Sequence, residues 1–313
     1  MKGLRASAPG KLFLCGEYAV LEGAPAVLTA IDRRAVARFG GRALRVSPVV
    51  AAVFDEVHAR FPACAIARRD EAPIAVETRG FARGRAKLGL GSSAAVAVAA
   101  TALLLARVKA TAGVRGERIL EIALAAHRTA QGGRGSGADV AAAVLGGTIR
   151  YERGATAVGL GPSPAAIAFV WTGRPASTPD LLARVQAFAG ASPAEHGALI
   201  GNLAALAAAF VAAYAACDAN EIVRLTSAYG AAMARLGEAS GAPIVDAAHA
   251  RVARLAAACG GAGKPSGAGG GDTAVAIFAR AEDRDRFALA AAEDGLPVLD
   301  LRCHERGVEV KGG

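Results

Sequence analysis

The sequence predicts a chain of two parts that mixes β-strands with α-helices, and three observations predict it. The composition is that of a compact globule, with 313 residues of which 53% are hydrophobic and 20% charged; that is enough apolar material for one large core or two ordinary ones. Short apolar runs bounded by glycine and proline alternate with longer segments of helical period. Near the middle, "GLGPSP" at 159–164 breaks the pattern. It sets an expected boundary near 160, with residues 1–160 and 161–313 as the two units.

The elements follow in order. Residues 11–15 and 26–31 predict short strands on either side of a turn at "EGAP", and 74–79 predicts another strand. Helices are expected at 93–108 and 117–130, the second with Ile119, Ile122, Ala123 and Ala126 on one face. Gly132 to Gly137 interrupts the pattern, after which "ADVAAAVLGG" starts a short helix closed by Gly146 and Gly147. "AIAFVWTG" reads as a strand. Pro175, Ser177 and Pro179 make a turn from which Thr178 is expected to cap a helix running from Asp180. Helix continues to about 259, followed by a glycine loop, a strand at 273–279, a helix near 282–294 and a strand at 297–301. No internal repeat period is visible.

The formal charge of +9 raises the question of a nucleic-acid partner. The basic residues are scattered, with no basic run and no interleaved aromatics, so small acidic ligands fit better and no nucleic acid is expected. Only Lys2, Lys11, Lys87, Lys109, Lys264 and Lys311 are lysine among 36 basic residues. A retained lysine is therefore more informative than an arginine, and Lys11, Lys87 and Lys264 each adjoin a glycine-containing segment. An ammonium on a flexible stem is a common phosphate ligand.

Cys15, Cys64, Cys217, Cys259 and Cys303 are widely spaced, with neither a zinc pattern nor a disulfide framework, which suits a reducing cytoplasm. The five histidines show no ligand spacing, and His127 is the one to watch. No export signal is visible, because "LFLC" is too short and meets Gly16 and Glu17 at once. "LIGNLAALAAAFVAAYAAC" at 199–217 has the length of a membrane span. Its alanine content, internal asparagine and lack of flanking Lys or Arg predict a buried helix, so no membrane is expected.

Three segments carry the chemistry: "APGKLFLCGEYAVLEG" at 8–23, "KLGLGSSAA" at 87–95 and "KPSGAGGGDTAVAIF" at 264–278. None is a Walker A loop. Read alone, "KLGLGSS" has two explanations. Ser92 or Ser93 caps an ordinary helix, or the glycines let backbone N–H groups and the helix N-terminus hold a phosphate. Three such segments, each beside a lysine, favour the phosphate.

At these residues the chain resembles the GHMP kinase superfamily, whose three motifs occur here in the expected order. The resemblance implies an α+β fold, with an N-terminal domain like the second domain of ribosomal protein S5 and a C-terminal ferredoxin-like domain, ATP and the acceptor lying between them. It implies that Lys87, Gly89, Gly91, Ser92 and Ser93 wrap the ATP phosphates and that Ser93 helps bind Mg²⁺. Asp139, in "GSGADVAAA", matches the family aspartate near the acceptor, and Lys11 matches the lysine that pairs with it. A carboxylate there can accept a hydroxyl proton, and a lysine can draw off developing negative charge. Tyr18, Arg134, Ser136, Ser266, Gly267, Gly269 and Gly270 are the expected acceptor-binding residues.

Within the superfamily, "GEYAVLEG", "AQGGRGSGADVAAA", "WTGRPAST" and "SGAGGGD" are similar to bacterial phosphomevalonate kinases. Mevalonate kinases usually carry "GEH" in place of Gly16, Glu17 and Tyr18, and a magnesium-binding glutamate where this chain has His127 and Arg128. The implied reaction is ATP-dependent phosphorylation of phosphomevalonate by a cytoplasmic monomer or homodimer. Two alternatives remain at this stage: a mevalonate kinase with a hydroxyl acceptor, and a non-catalytic metabolite sensor on the same fold. If the acceptor is a phosphate, it arrives mostly dianionic at neutral pH, and Asp139 organises Lys11 more than it removes a proton.

Overall fold

A computed structural model of the chain describes residues 3–40, 47–62, 73–108, 116–133 and 135–312. Strands β1 (Arg5–Cys15) and β2 (Ala26–Phe39) pair antiparallel and are followed by helix α1 (Pro48–Arg60) and strand β3 (Ile74–Glu77). A small ribbon, β4 (Ala82–Arg83) and β5 (Ala86–Lys87), leads to helices α2 (Ser92–Arg107), α3 (Gly116–Ala130) and α4 (Ala138–Leu145). Strands β6 (Thr148–Tyr151), β7 (Val158–Gly159) and β8 (Ala166–Trp171) come next. Four helices follow: α5 (Thr178–Ala191), α6 (Pro193–Ala215), α7 (Ala219–Ser240) and α8 (Ala247–Ala258). The chain closes with β9 (Gly261–Ser266), β10 (Thr273–Phe278), α9 (Ala281–Glu293), β11 (Val298–Leu299) and β12 (Glu309–Lys311).

Two antiparallel sheets organise these elements. The first runs β12-β1-β2-β6-β7, with β3 also on β2; the second runs β11-β8-β10-β9. Helix α2 is buried on nearly every side, from Ala94 through Leu105, and an all-apolar helix must sit inside a core. It packs on β1 and β2 with α1, α3 and α4 around it. The C-terminal strand β12 crosses back to pair Lys311 with Arg5 and Glu309 with Ser7.

Several expectations change. Helix α1 and strand β6 had no counterpart in the sequence reading, and the loop expected after 259 begins as strand β9. The last expected strand shrinks to Val298–Leu299. Ser177, not Thr178, occupies the N-cap position of α5, and its side chain makes no capping bond. The apolar stretch at 199–217 lies largely in α6, which alone among the described helices is long and apolar enough to cross a membrane. One face of α6, including Ile200, Leu203, Ala207, Phe210 and Tyr214, is buried, while Ala205, Ala208 and Ala212 are exposed. The expectation of a buried helix therefore holds for that face alone.

Candidate active site

The three glycine-containing segments meet where the two sheets abut. Opposite the step from Pro9 to Gly10, β2 carries two extra residues, Asp32 and Arg33, and the register shifts just ahead of Lys11. The Lys11 N–H donates to Leu90 O at 3.0 Å, and the Thr273 hydroxyl donates to Leu88 O at 2.6 Å. The 88–91 loop is thus held from β1 on one side and β10 on the other. Ser266 completes the junction: its Oγ accepts from the Phe13 N–H at 2.9 Å and donates to Phe13 O at 3.0 Å.

The start of α2 decides between capping and anion binding. Gly91 is the N-cap residue, with φ 74°, and no side chain caps the first turn. A left-handed cap favours glycine, and the uncapped N–H groups with the positive end of the helix dipole remain for an anion. Ser92 and Ser93 line the same cleft of about 350 Å³, together with Lys11, Lys87, Gly89 and Asp139. Ser93 turns its hydroxyl to His127, whose Nε2 lies 3.1 Å away.

Charges in the cleft are mixed. Burial lowers the Lys11 ammonium below the ordinary lysine range, while the fields of Asp139, Glu17 and Asp272, in that order, favour its charged form. No ion pair joins Lys11 to Asp139 among the described residues, so the pairing implied by resemblance acts through space. Asp139 lies in the first turn of α4, where its Oδ1 accepts the Val140 N–H at 3.0 Å. Burial raises the Asp272 carboxyl, against the pull of the Ala176 N–H, Lys11 and Lys87. A phosphate entering here meets two lysines and a helix start, with carboxylates spaced around them.

Lys264 corrects the sequence reading. Its side chain is fully buried, does not line the cleft and pairs with Glu17, which does; its Nζ also donates to Pro265 O at 2.9 Å. The reason is strand geometry: β9 is covered on both faces, with Gly263 against Val252 and Ala253 of α8 and Lys264 against Gly230 of α7, so alternation leaves Lys264 pointing into the interior. Glu17 Oε1 also accepts the Gly267 N–H at 3.3 Å, and Glu17 Oε2 is buried without a partner. Removing one member of a buried pair strands the other charge, at a cost of about 3–5 kcal/mol. Lys264→Met is therefore expected to destabilise the protein on that scale, and Glu17→Gln combined with it to recover part of the loss. Denaturant melts of the single and double variants measure this; a Lys264→Met midpoint equal to the parent's refutes it.

The other expected site residues divide. Tyr18, Ser136, Ser266, Gly267 and Gly269 line the cleft, whereas Gly270 does not. The Tyr18 hydroxyl donates to Ala268 O at 2.6 Å, tying the first segment to the third, and burial pushes its phenol up so that it stays protonated. Ser136 O accepts from the Tyr151 hydroxyl at 2.6 Å, and its Oγ accepts the Ala138 N–H at 3.2 Å. Gly270 turns from the cleft, and a side chain on it would meet Leu181 and Pro243 O. Arg134 lies outside the described residues. Sequence reasoning missed Glu17, Gln131, Thr178 and Asp272, all lining the cleft. A carboxylate directly after three glycines was a readable signal for Asp272; Thr178 had none.

Comparison with known proteins follows the same lines. The family description "GHMP kinases N terminal domain" matches residues 51–147. A phosphomevalonate kinase of Streptomyces sp. (strain CL190) is 29% identical, covering 89% of this chain and 90% of that protein. The Lin0012 protein of Listeria innocua has a similar structure, with TM-score 0.86 at 22% identity over 99% of both chains. So does Streptococcus pneumoniae phosphomevalonate kinase in complex with phosphomevalonate and AMPPNP, with TM-score 0.82 at 18% identity over 95% of this chain and 99% of that one. The two structural likenesses show a shared α+β fold.

Proposed function

Because the chain belongs to the GHMP kinase superfamily, we propose that it is a small-molecule kinase that transfers a phosphoryl group from ATP to phosphomevalonate. The observation that carries the reading is the convergence of an uncapped helix start, Lys11, Lys87 and Asp139 on one cleft. The Streptomyces relative, similar over nine-tenths of the chain, supports the acceptor. We take residues 1–160 and 161–313 as its two units, with β12 returning to the first, and the cytoplasm as its compartment. Cys15, Cys217, Cys259 and Cys303 are free thiols, in keeping with that compartment.

In this reading the loop from Lys87 to Ser93 cradles the triphosphate, and Lys11 stands between donor and acceptor. The acceptor phosphate, with a second pKa of about 6, arrives largely deprotonated. The protein's work is to hold two anions in line and neutralise their repulsion. Asp139 acts through space to keep Lys11 charged. Mg²⁺, where bound, shields the transferring phosphates. The donors present fit such an ion: Ser93 and Asp139 both line the cleft, while no group of three His, Cys, Asp or Glu side chains forms a cage among the described residues. Mg²⁺ commonly takes few protein ligands and completes its shell with phosphates and water.

A coupled ADP-release assay with phosphomevalonate, mevalonate, homoserine and galactose tests the proposal. Turnover is expected with phosphomevalonate, and faster turnover with mevalonate overturns the acceptor assignment. Ser93→Ala is expected to raise KM for Mg-ATP about tenfold while the melting temperature stays within a degree or two, because Ser93 is not the helix cap. A lost cap costs about 1 kcal/mol, so a clear fall in melting temperature with unchanged ATP kinetics returns Ser93 to a structural role.

A further inference from the structure

Ser93 faces two chemical options at the cleft: to donate its proton to a phosphate oxygen, or to offer its lone pairs to a cation. The choice is made by neighbours outside the glycine loop. His127, on α3, is buried, with 4% of its surface exposed, and its Nε2 lies 3.1 Å from Ser93 Oγ. The Gln131 side-chain nitrogen lies 3.1 Å from the same Nε2, one helical turn along the chain. An amide nitrogen donates and does not accept. With the Gln131 amide in this orientation Nε2 is the acceptor, its one lone pair shared between the Gln131 N–H and the Ser93 O–H, and the ring carries its proton on Nδ1. A Ser93 hydroxyl directed at that lone pair has no proton left for a phosphate.

We infer that His127, held in one tautomer by Gln131, is a positioning residue that makes Ser93 a cation ligand and not a phosphate donor. This inference rests on the kinase reading of the cleft. The division of labour is then complete: backbone N–H groups at the start of α2 take the phosphate oxygens, and Ser93 Oγ takes the ion. With no cage of metal-binding side chains among the described residues, the orientation of this one hydroxyl carries much of the protein's share. A hydroxyl free to rotate points its lone pairs at the ion for part of the time; His127 removes that freedom. Groups that orient a metal ligand are commonly worth about 10- to 100-fold in metal affinity.

The test is calorimetric binding of ATP to the intact protein, with Mg²⁺ and with EDTA, in the parent, His127→Leu, His127→Gln, Gln131→Leu, Ser93→Ala and Ser93→Ala/His127→Leu. His127→Leu is expected to lose about tenfold of the Mg²⁺-dependent tightening, while metal-free ATP affinity stays within about twofold. His127→Gln, whose amide oxygen can accept the Ser93 proton, restores most of it. The double variant binds no worse than Ser93→Ala, since the two residues act as one unit. Replacing Mg²⁺ by Mn²⁺ and following its paramagnetic resonance gives the same order of variants. Should His127→Leu not fold, Gln131→Leu carries the test at an exposed position, with a loss of about threefold in the same direction.

The inference is overturned if His127→Leu weakens ATP equally with and without Mg²⁺, which marks a packing role, or leaves the Mg²⁺ dependence at the parent value. A parent that binds no ATP under either condition overturns the kinase reading and this inference together.

Discussion

Lys11→Met is expected to lower kcat/KM with phosphomevalonate on the order of 1,000-fold, and to do more damage than Asp139→Asn. In the proposed reading two anions, the acceptor and ATP, meet at Lys11, a buried cation that lines the cleft and whose backbone N–H is bonded to the 88–91 loop. Removing one pre-aimed group that stabilises transition-state charge typically costs 10²–10³-fold, and here ground-state repulsion is left unscreened as well. Asp139→Asn removes a field and no contact with Lys11, so a loss of about 10- to 100-fold is expected. It leaves a signature in the pH profile. Burial already holds Lys11 below the ordinary lysine range, and Asp139 is the largest of the fields that counter it. Lys11 must be charged to act, so kcat/KM falls as pH rises through its lowered pKa, and deleting Asp139's charge moves that alkaline limb to lower pH. The acid limb, set by the acceptor's own ionisation near about 6, stays in place. If Asp139→Asn proves the worse lesion, or its alkaline limb does not move, Asp139 is a base and not an organiser.

Gly269→Val is expected to remove the third loop as a working element, with a destabilisation of about 4 kcal/mol or more and no measurable acceptor turnover. Gly269 sits at φ 78°, and a Cβ on it would overlap the backbone oxygen of Ile244. A β-branched residue is strained at positive φ, and a backbone carbonyl cannot swing aside as a side chain can. Effects above 4–5 kcal/mol are rare for single substitutions and mark this kind of lesion. The same carbonyl accepts the Gly270 N–H at 2.9 Å, so pushing it away also breaks the bond that anchors the loop. The neighbouring site differs: at Gly270 an added Cβ first meets the Leu181 methyls at 3.0 Å, with φ 68°. Gly270→Ala is therefore expected to cost less and to keep measurable turnover, because a leucine side chain can shift. Thermal melts and acceptor kinetics for both variants check this. A Gly269→Val protein that is as stable and active as the parent means that the loop tolerates another path.

Much of the site was legible before any fold was known. Lys11, the 87–93 loop and the third glycine segment lie in continuous stretches whose local chemistry declares itself, whereas Asp139 and its link to Lys11 were read through the family resemblance. Glycines beside lysines, and glycine or serine directly ahead of an apolar run, depend on backbone preferences within a few residues. Helices α2, α3 and α4 were equally readable, because their apolar spacing and terminal glycines are local signals.

The sequence by itself determined the three segments that build the cleft, their order and most of the elements that carry them, since φ preferences, helix starts and apolar periods act over short range. Tertiary structure alone decided who meets whom. Strand β9, "GAGKPS", is short and glycine-rich and has no readable alternation, so nothing local says that Lys264 turns inward to Glu17, 247 residues away. Ser93 and His127 are 34 residues apart and meet across packed helices. Gly269 and Gly270 are alike in sequence and differ in what lies opposite: an overlapping backbone carbonyl for one, and for the other the movable Leu181 side chain first, with the Pro243 carbonyl at 3.3 Å. Burial, pairing and overlap depend on long-range packing, which a one-dimensional pattern does not carry.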